Sequence, residues 1–289
     1  RNMPLPQRTF YPKTPLIAKL QELVWTSHEP FRFVGIHAQF FPNLSGVYGI
    51  EDIRAHDPMS NARYLAFLKL TADYEPWNYF AFLNDPNKSV FDFLNVRYVA
   101  LVPAAAAPDP ARYALLYDGP DGKIVENRTV LPRFYSVRSV LPVFYPHIRA
   151  HRDWANTAFA DDTNFHGAAT TKITSASATE YRLHASAAQR SLVVSSIPFW
   201  PGWNVAINGK RVKPMKVNAV FLGFAVPPGQ SDVRVWYSPL SFRVGVWVSL
   251  GTVLMLVLLY LNFLFRRSRA TLSTRARTLD NASRCLVTN

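Results

Sequence analysis

Residues 199–212 read Phe-Trp-Pro-Gly-Trp-Asn-Val-Ala-Ile-Asn-Gly-Lys-Arg-Val, and this stretch decides the fold of the C-terminal half. Asn208-Gly209 separates Val205-Ala206-Ile207 from Arg211-Val212. A type I′ hairpin turn needs positive φ at both central residues, which Asn and Gly tolerate. Pro201-Gly202 suits a type II turn, with Pro fixing φ at the second position and Gly taking positive φ at the third. Working outward, strand patterns recur at intervals of about 8–12 residues. They cover 170–174, 179–185, 190–196, 203–207, 210–213, 218–226 and 231–237. Pro227-Pro228-Gly229-Gln230 is a further turn between two of them. This spacing predicts a C-terminal antiparallel β-sandwich, jelly-roll-like, over 169–240.

The N-terminal part has a different rhythm. Residues 1–15 carry four prolines and read as an extended lead-in. Thr14-Pro15 is an N-cap followed by Pro at the first helical position. Leu16, Ile17, Leu20, Leu23 and Val24 then recur at helical spacing, so a helix to about Trp25 is expected. Phe31–Val34 reads as a strand. Asp57-Pro58 reads as a second cap, opening a helix that turns Tyr64, Leu65, Phe67 and Leu68 inward. Ser89 starts a short helix that runs into a buried strand over 96–102. Strands follow at 112–117, 123–126 and 133–138. The fold class is therefore α+β, with a mixed α/β region over 1–146 and a polar connecting segment over 147–168.

Val244–Phe265 is a run without one formal charge, followed directly by Arg266-Arg267-Ser268-Arg269. At about 1.5 Å per residue it spans roughly 33 Å, enough for a hydrocarbon core of about 30 Å. It reads as one transmembrane helix. Arginines collect on the cytoplasmic side of such helices, which puts the tail 266–289 in the cytoplasm, without fixed structure, and residues 1–240 outside. Few residues separate the last strand from this helix, so the sandwich is expected near the bilayer. Trp236, Tyr237, Phe242 and Trp247 fall where an interfacial aromatic belt forms.

The net charge is +13. The tail holds six arginines and one aspartate, a net +5, leaving +8 for the rest. A basic tail beside a membrane helix is an orientation signal and an anionic-lipid contact. The remaining basic residues are scattered without a groove-binding motif, so nucleic acid is not an expected partner. The lone cysteine, Cys285, lies in the tail, which excludes a disulfide scaffold and a cysteine-ligated metal site.

Trp200 and Trp203 flank the Pro201-Gly202 turn and Asn204 follows. These three are the candidate glycan-binding residues, because an indole face packs on the apolar face of a pyranose. The competing assignment makes the tryptophans plugs at the end of the sandwich core. Glu51, Asp52 and Asp57 lie within seven residues and could share acid–base work, as in a self-contained hydrolase. Asp57 has a sufficient role as a cap, however, and Arg54 and His56 lie among them. No catalytic residue is assigned. His147 and His151 are four apart, but no acidic partner completes a metal motif, and no metal or cofactor is expected. Asn43-Leu-Ser45 and Asn127-Arg-Thr129 are glycosylation sequons by pattern.

Several landmarks occur in a set order. Gly49-Ile-Glu-Asp-Ile53 leads to His56-Asp57-Pro58 and Arg63-Tyr64. Leu94-Asn95-Val96-Arg97-Tyr98-Val99, Glu126-Asn127 and Leu131-Pro132-Arg133 follow. Then come Trp200-Pro-Gly-Trp203, Asn208-Gly209, Asn218, Pro228-Gly229, Tyr237-Ser-Pro239 and Phe242-Arg-Val-Gly245. This order over residues 1–265 resembles the C-terminal part of the YfhO-like family of bacterial membrane proteins, themselves similar to the GT-C superfamily of polytopic glycosyltransferases. Where the family pattern often places an acidic residue before the hairpin glycine, this chain has Asn208, and both types suit the turn.

The resemblance implies transfer of sugar from a polyprenyl-phosphate donor to a cell-envelope acceptor. It also implies upstream membrane helices, with Arg1 onward as chain leaving them, and acidic catalytic residues in early loops that this sequence does not contain. A single-pass envelope module that binds glycans or proteins fits the same residues.

Overall fold

The computed structural model describes residues 11–54, 60–75, 82–106 and 108–285, with side chains through Phe263. Residues through Tyr237 form one compact unit, and those from Ser238 onward a second. The architecture is α+β, as expected.

The first sheet contains β1 (Arg32–Gly35), β2 (Val96–Leu101), β3 (Tyr113–Gly119) and β4 (Gly122–Asn127), in the order β1-β2-β4-β3. β1 runs parallel to β2 and the other pairs are antiparallel. Successive side chains leave a strand on opposite faces. Phe33, Tyr98, Ala100 and Ile124 thus meet Leu16 and Leu20 of the helix Pro15–Thr26. Val34, Val99, Leu101 and Val125 enter the main core on the other face. The helix starts as its sequence directs: the Thr14 hydroxyl accepts from the Ile17 N–H at 3.4 Å, and Pro15 opens the first turn.

Three short strands connect the halves: β5 (Phe134–Ser136), β6 (Ser139–Leu141) and β7 (Thr157–Phe159). β6 and β7 pair with each other in parallel. The sandwich strands are β8 (Thr170–Ala176), β9 (Glu180–Ala187), β10 (Ser191–Pro198), β11 (Trp203–Ile207), β12 (Lys210–Val212), β13 (Met215–Val217), β14 (Phe221–Val226) and β15 (Gly229–Tyr237). They form an inner sheet, β13-β14-β10-β5, and an outer sheet, β12-β11-β15-β9-β8. Val193, Leu222 and Phe224 of the inner sheet pack against Leu183, Val205, Val233 and Val235 of the outer one.

The opposite face of the inner sheet is also covered. Leu192, Val194, Val217 and Phe221 join Phe67, Phe93 and Trp154 in the main core. Phe221 sits at the centre, with ring centroids 4.8 Å from Phe67 and 4.6 Å from Phe93. Edge-on aromatic contacts of this kind add about 0.5–1.5 kcal/mol beyond burial.

Polar side chains stitch the layers together. Arg32 on β1 donates to the Leu94 carbonyl at 3.0 Å and to the Ser196 carbonyl and hydroxyl on β10, both at 2.9 Å. Buried Arg133 donates from Nε to Asn95 Oδ1 at 3.0 Å. Asn95 takes a left-handed conformation (φ 62°) after the short helix Val90–Phe93. Its Nδ2 donates to the Leu131 carbonyl at 2.9 Å. The Leu94–Val99 and Leu131–Arg133 landmarks are therefore one structural clasp. Asn127 is buried, with its Nδ2 donating to Asp92 Oδ1 at 2.7 Å and to the Val96 carbonyl at 3.1 Å. A side-chain amide so engaged is no glycan acceptor in the folded chain.

Four expectations need correction. The second helix is Ala62–Ala72, capped by Asn61; the Asp57-Pro58 start lies outside the described residues. The strand expected over 218–226 begins at Phe221, because Asn218 and Ala219 have positive φ and form a turn after β13. The stretch around 145–159 holds the helix Tyr145–Ala150 and β7, neither of which its polar composition announced. Finally, the C-terminal helix runs from Leu240 to Cys285, so the tail expected to lack structure continues the helix at least to Cys285. Arg, Ala and Leu are good helix formers, and nothing between Phe265 and Cys285 breaks the pattern.

Leu240–Phe263 is long and apolar enough to cross a membrane, with a mean hydropathy of 2.3 and no part of its most apolar window buried. Soluble helices of this length carry a polar stripe.

Candidate functional site

The Phe199–Asn204 motif sits where β10 gives way to β11. Its turn is closed by the Trp203 N–H donating to the Trp200 carbonyl at 3.2 Å, with Gly202 at φ 116°. The turn sends its two indoles to different places. Trp203 packs against the sandwich core, with its ring 5.2 Å from that of Tyr237. Asn204 donates from Nδ2 to the Gly202 carbonyl at 2.7 Å and so braces the turn. Trp200 is 51% exposed, and no aromatic ring among the described residues stacks on it. Trp200 lines a cavity whose walls include neither Trp203 nor Asn204.

That cavity has a volume of about 450 Å³ and lies between the turn and the start of the helix Ala62–Ala72. Its walls are Trp200, Pro201 and Phe199 on one side and Asn61 and Arg63 on the other, with Ala219 and Val220 between. A second cavity of about 520 Å³ continues from it and shares Arg63, Lys216, Ala219 and Val220. Tyr145, Ala66 and Leu70 line this second lobe. Together the lobes form one groove.

Local sequence explains each wall. Asn61 Oδ1 accepts from the N–H groups of Arg63 at 3.0 Å and Tyr64 at 3.3 Å, which starts the helix and leaves Arg63 on its exposed face. β13 alternates, so Val217 is buried while Lys216 faces solvent. Asn218 adopts φ 48°, and its side chain accepts from the Phe159 N–H at 2.9 Å. That turn places Ala219 and Val220 in the groove, and the Phe199 N–H donates to the Val220 carbonyl at 2.8 Å.

The groove is electropositive. Arg63 and Lys216 have no ion-pair partner among the described residues, and no carboxylate lines either lobe. A hollow of about 560 Å³ on the outer sheet differs in this respect. There Glu180 holds Arg234 at 2.7 Å and Arg182 at 3.0 Å, while Asp232 faces His184. Arg211 and Arg234 lie over the Trp236 ring. Arg182 and Arg234 are thus held by a carboxylate of the chain itself.

The carboxylates weighed for acid–base work are also held. Asp52 accepts from the Arg54 guanidinium at 2.7 Å, with both side chains buried. Burial pushes the Asp52 carboxyl up, and Arg54 opposes that shift. Glu51 lies 2.9 Å from Arg133 and 3.5 Å from Arg32. Burial, then the neighbouring Arg133, lowers Arg32 to about 10. Asp57 lies outside the described residues. Glu51 thus ties its segment to Arg32 and Arg133, while Asp52 is held locally by Arg54. Among the described residues no three His, Cys, Asp or Glu side chains gather as a metal-ligand set.

Residues 155–249 match the family model described as bacterial membrane protein YfhO. That stretch is YfhO-like. A protein of Bacillus subtilis (strain 168), printed as uncharacterized protein YfhO, is 32% identical over 65 residues. That match covers 22% of this chain and 8% of the relative's length. No solved structure matches the chain. The family match and the apolar helix together make this a membrane protein. The family match covers the Trp200 turn, Lys216 and most of the sandwich, but not Arg63 or Tyr145.

Sequence reasoning found Trp200 but missed Arg63, Lys216 and Tyr145 as its companions. Arg63-Tyr64 stood among the landmarks without a role. Lys216 and Tyr145 carried no local signal, because only the packing of the helix against the β13–β14 turn brings them near Trp200.

Proposed function

We propose that this chain is the extracytoplasmic domain and last membrane helix of a polytopic membrane glycosyltransferase, and that its groove holds the acceptor glycan. The donor class is a polyprenyl-phosphate sugar and the acceptor belongs to the cell envelope. Residues 1–240 lie outside the membrane and the tail from Arg266 lies in the cytoplasm, in keeping with Arg266, Arg267 and Arg269 beside the span. Chemistry is assigned to other loops of the protein, since Glu51 and Asp52 are committed to arginines.

The observation that carries this reading is the exposed Trp200 indole at one end of a cavity of about 450 Å³. Ligand sites of about 300–1,000 Å³ with an apolar wall and a few placed polar groups are the usual form. Trp203 and Asn204 act as positioning residues that hold the turn. The test is transfer of radiolabelled sugar from a polyprenyl-phosphate donor to envelope material by membranes containing the full-length protein. Transfer that depends on the protein supports the reading. If glycan binding is present and transfer is absent, the single-pass glycan-binding module replaces it.

A further inference from the structure

We infer that the groove takes an extended acidic oligosaccharide, at least two sugar residues long, with its anionic group seated at the waist between Arg63 and Lys216. This rests on the reading of the groove as a glycan site and adds the length and charge of the ligand.

The length follows from the two-lobed form. Lobes of about 450 Å³ and about 520 Å³ overlap at four shared residues and then diverge. Trp200 lines the first only and Tyr145 the second only. Both residues are more than half exposed, at 51% and 60%. Two separated aromatic walls suit two sugar rings, each laying an apolar face on one of them. A monosaccharide meets one wall and leaves the other in water.

The charge follows from the waist. Arg63 and Lys216 line both lobes, so any ligand crossing from one to the other passes them. Arg54, Arg112 and Arg190 each hold a carboxylate of the chain itself. Arg63 and Lys216 hold none among the described residues. A carboxylate or phosphate on the ligand supplies the missing partner. A guanidinium accepts either in a two-bonded fork, and the lysine ammonium adds a point charge.

The test titrates the full chain in neutral detergent with four probes by calorimetry: galacturonic acid, its linear trimer, the uncharged galactose trimer of the same linkage, and a phosphorylated mannose trimer. The expected result is that an acidic trimer binds about fivefold to tenfold more tightly than the neutral trimer at low salt, an advantage that shrinks at high salt. Whether the carboxylated or the phosphorylated trimer is tighter identifies the anion. Arg63→Gln with Lys216→Gln abolishes the charge preference. Tyr145→Ala weakens the trimer more than the monosaccharide. Equal affinity for acidic and neutral trimers overturns the charge assignment and leaves the glycan groove standing. Equal affinity for monomer and trimer overturns the length assignment. If none of the four binds and Trp200→Ala changes nothing, the glycan groove itself is wrong, and the inference falls with it.

Discussion

β10 and β15 lie in facing sheets of one sandwich, yet their burial differs. In β10 the residues Ser191 to Ile197 are all buried, and only Pro198 at the end is partly exposed. In β15 the buried positions alternate: Ser231, Val233 and Val235 inward, with Gln230, Asp232 and Arg234 outward. The outer sheet has one solvated face, the usual antiparallel case. The central strands of the inner sheet, β10 and β14, have none. Its second face carries the helices and the first sheet. This asymmetry explains where the groove lies. A ligand cannot reach either face of a sheet buried on both sides, so the opening is left at its margin, where the β13–β14 turn meets the helix Ala62–Ala72.

Substitutions can break this comparison. The largest expected effect is Phe221→Ala on the inner sheet, which opens a cavity among Phe67, Phe93 and Tyr64. Urea unfolding is expected to show a loss of about 3–5 kcal/mol. Arg182→Gln on the outward face of β9 is expected to leave the unfolding midpoint where it is. Equal losses at the two sites contradict the layered account.

Arg133→Ala comes next. It removes the donor to Asn95 Oδ1 and the partner of Glu51, so the clasp between the first sheet and the sandwich opens. Unfolding is expected to show a loss of about 1–3 kcal/mol. An unchanged midpoint means the clasp is decorative.

Asn208→Ala sharpens the outer-sheet side. Asn208 sits at φ 49° and accepts from the Asp232 N–H at 2.8 Å. An alanine there is expected to lose about 1 kcal/mol, read by thermal unfolding.

The smallest effect concerns pH. His151 is pushed below its ordinary range by burial, its ring 4.7 Å from Trp154 and 5.1 Å from Phe159. The unfolded chain therefore takes up the proton first as pH falls. Stability is expected to decline as pH drops through about 6.5, the ordinary histidine value, and to stop declining below the folded value. His151→Gln is expected to flatten that decline, and an unchanged slope assigns it to another group.

Much of this fold is legible in the sequence because the signals are local. Asn208-Gly209 marks its hairpin, Thr14-Pro15 its helix start, and the alternation of β9 and β15 the solvated sheet. The clasp was not legible, since Asn95 and Arg133 are 38 positions apart and neither strand pattern mentions the other. β7 and β13 are too short to show a period. The Asp57-Pro58 cap looked sufficient, yet Asn61 caps the described helix four residues later. For the site, the Pro201-Gly202 turn was readable and so was the pairing of its tryptophans. Their divergence was not, because a turn fixes the backbone while packing decides which indole is covered.

The central claim is that Trp200 touches acceptor glycan while Trp203 only holds the turn. The most direct measurement is acceptor titration of sugar transfer by full-length protein carrying Trp200→Ala, with its thermal unfolding recorded alongside. The account predicts an unfolding midpoint close to the unsubstituted protein and an acceptor KM raised about tenfold, equivalent to about 1.4 kcal/mol of lost stacking. A folded Trp200→Ala protein with an unchanged acceptor KM contradicts it.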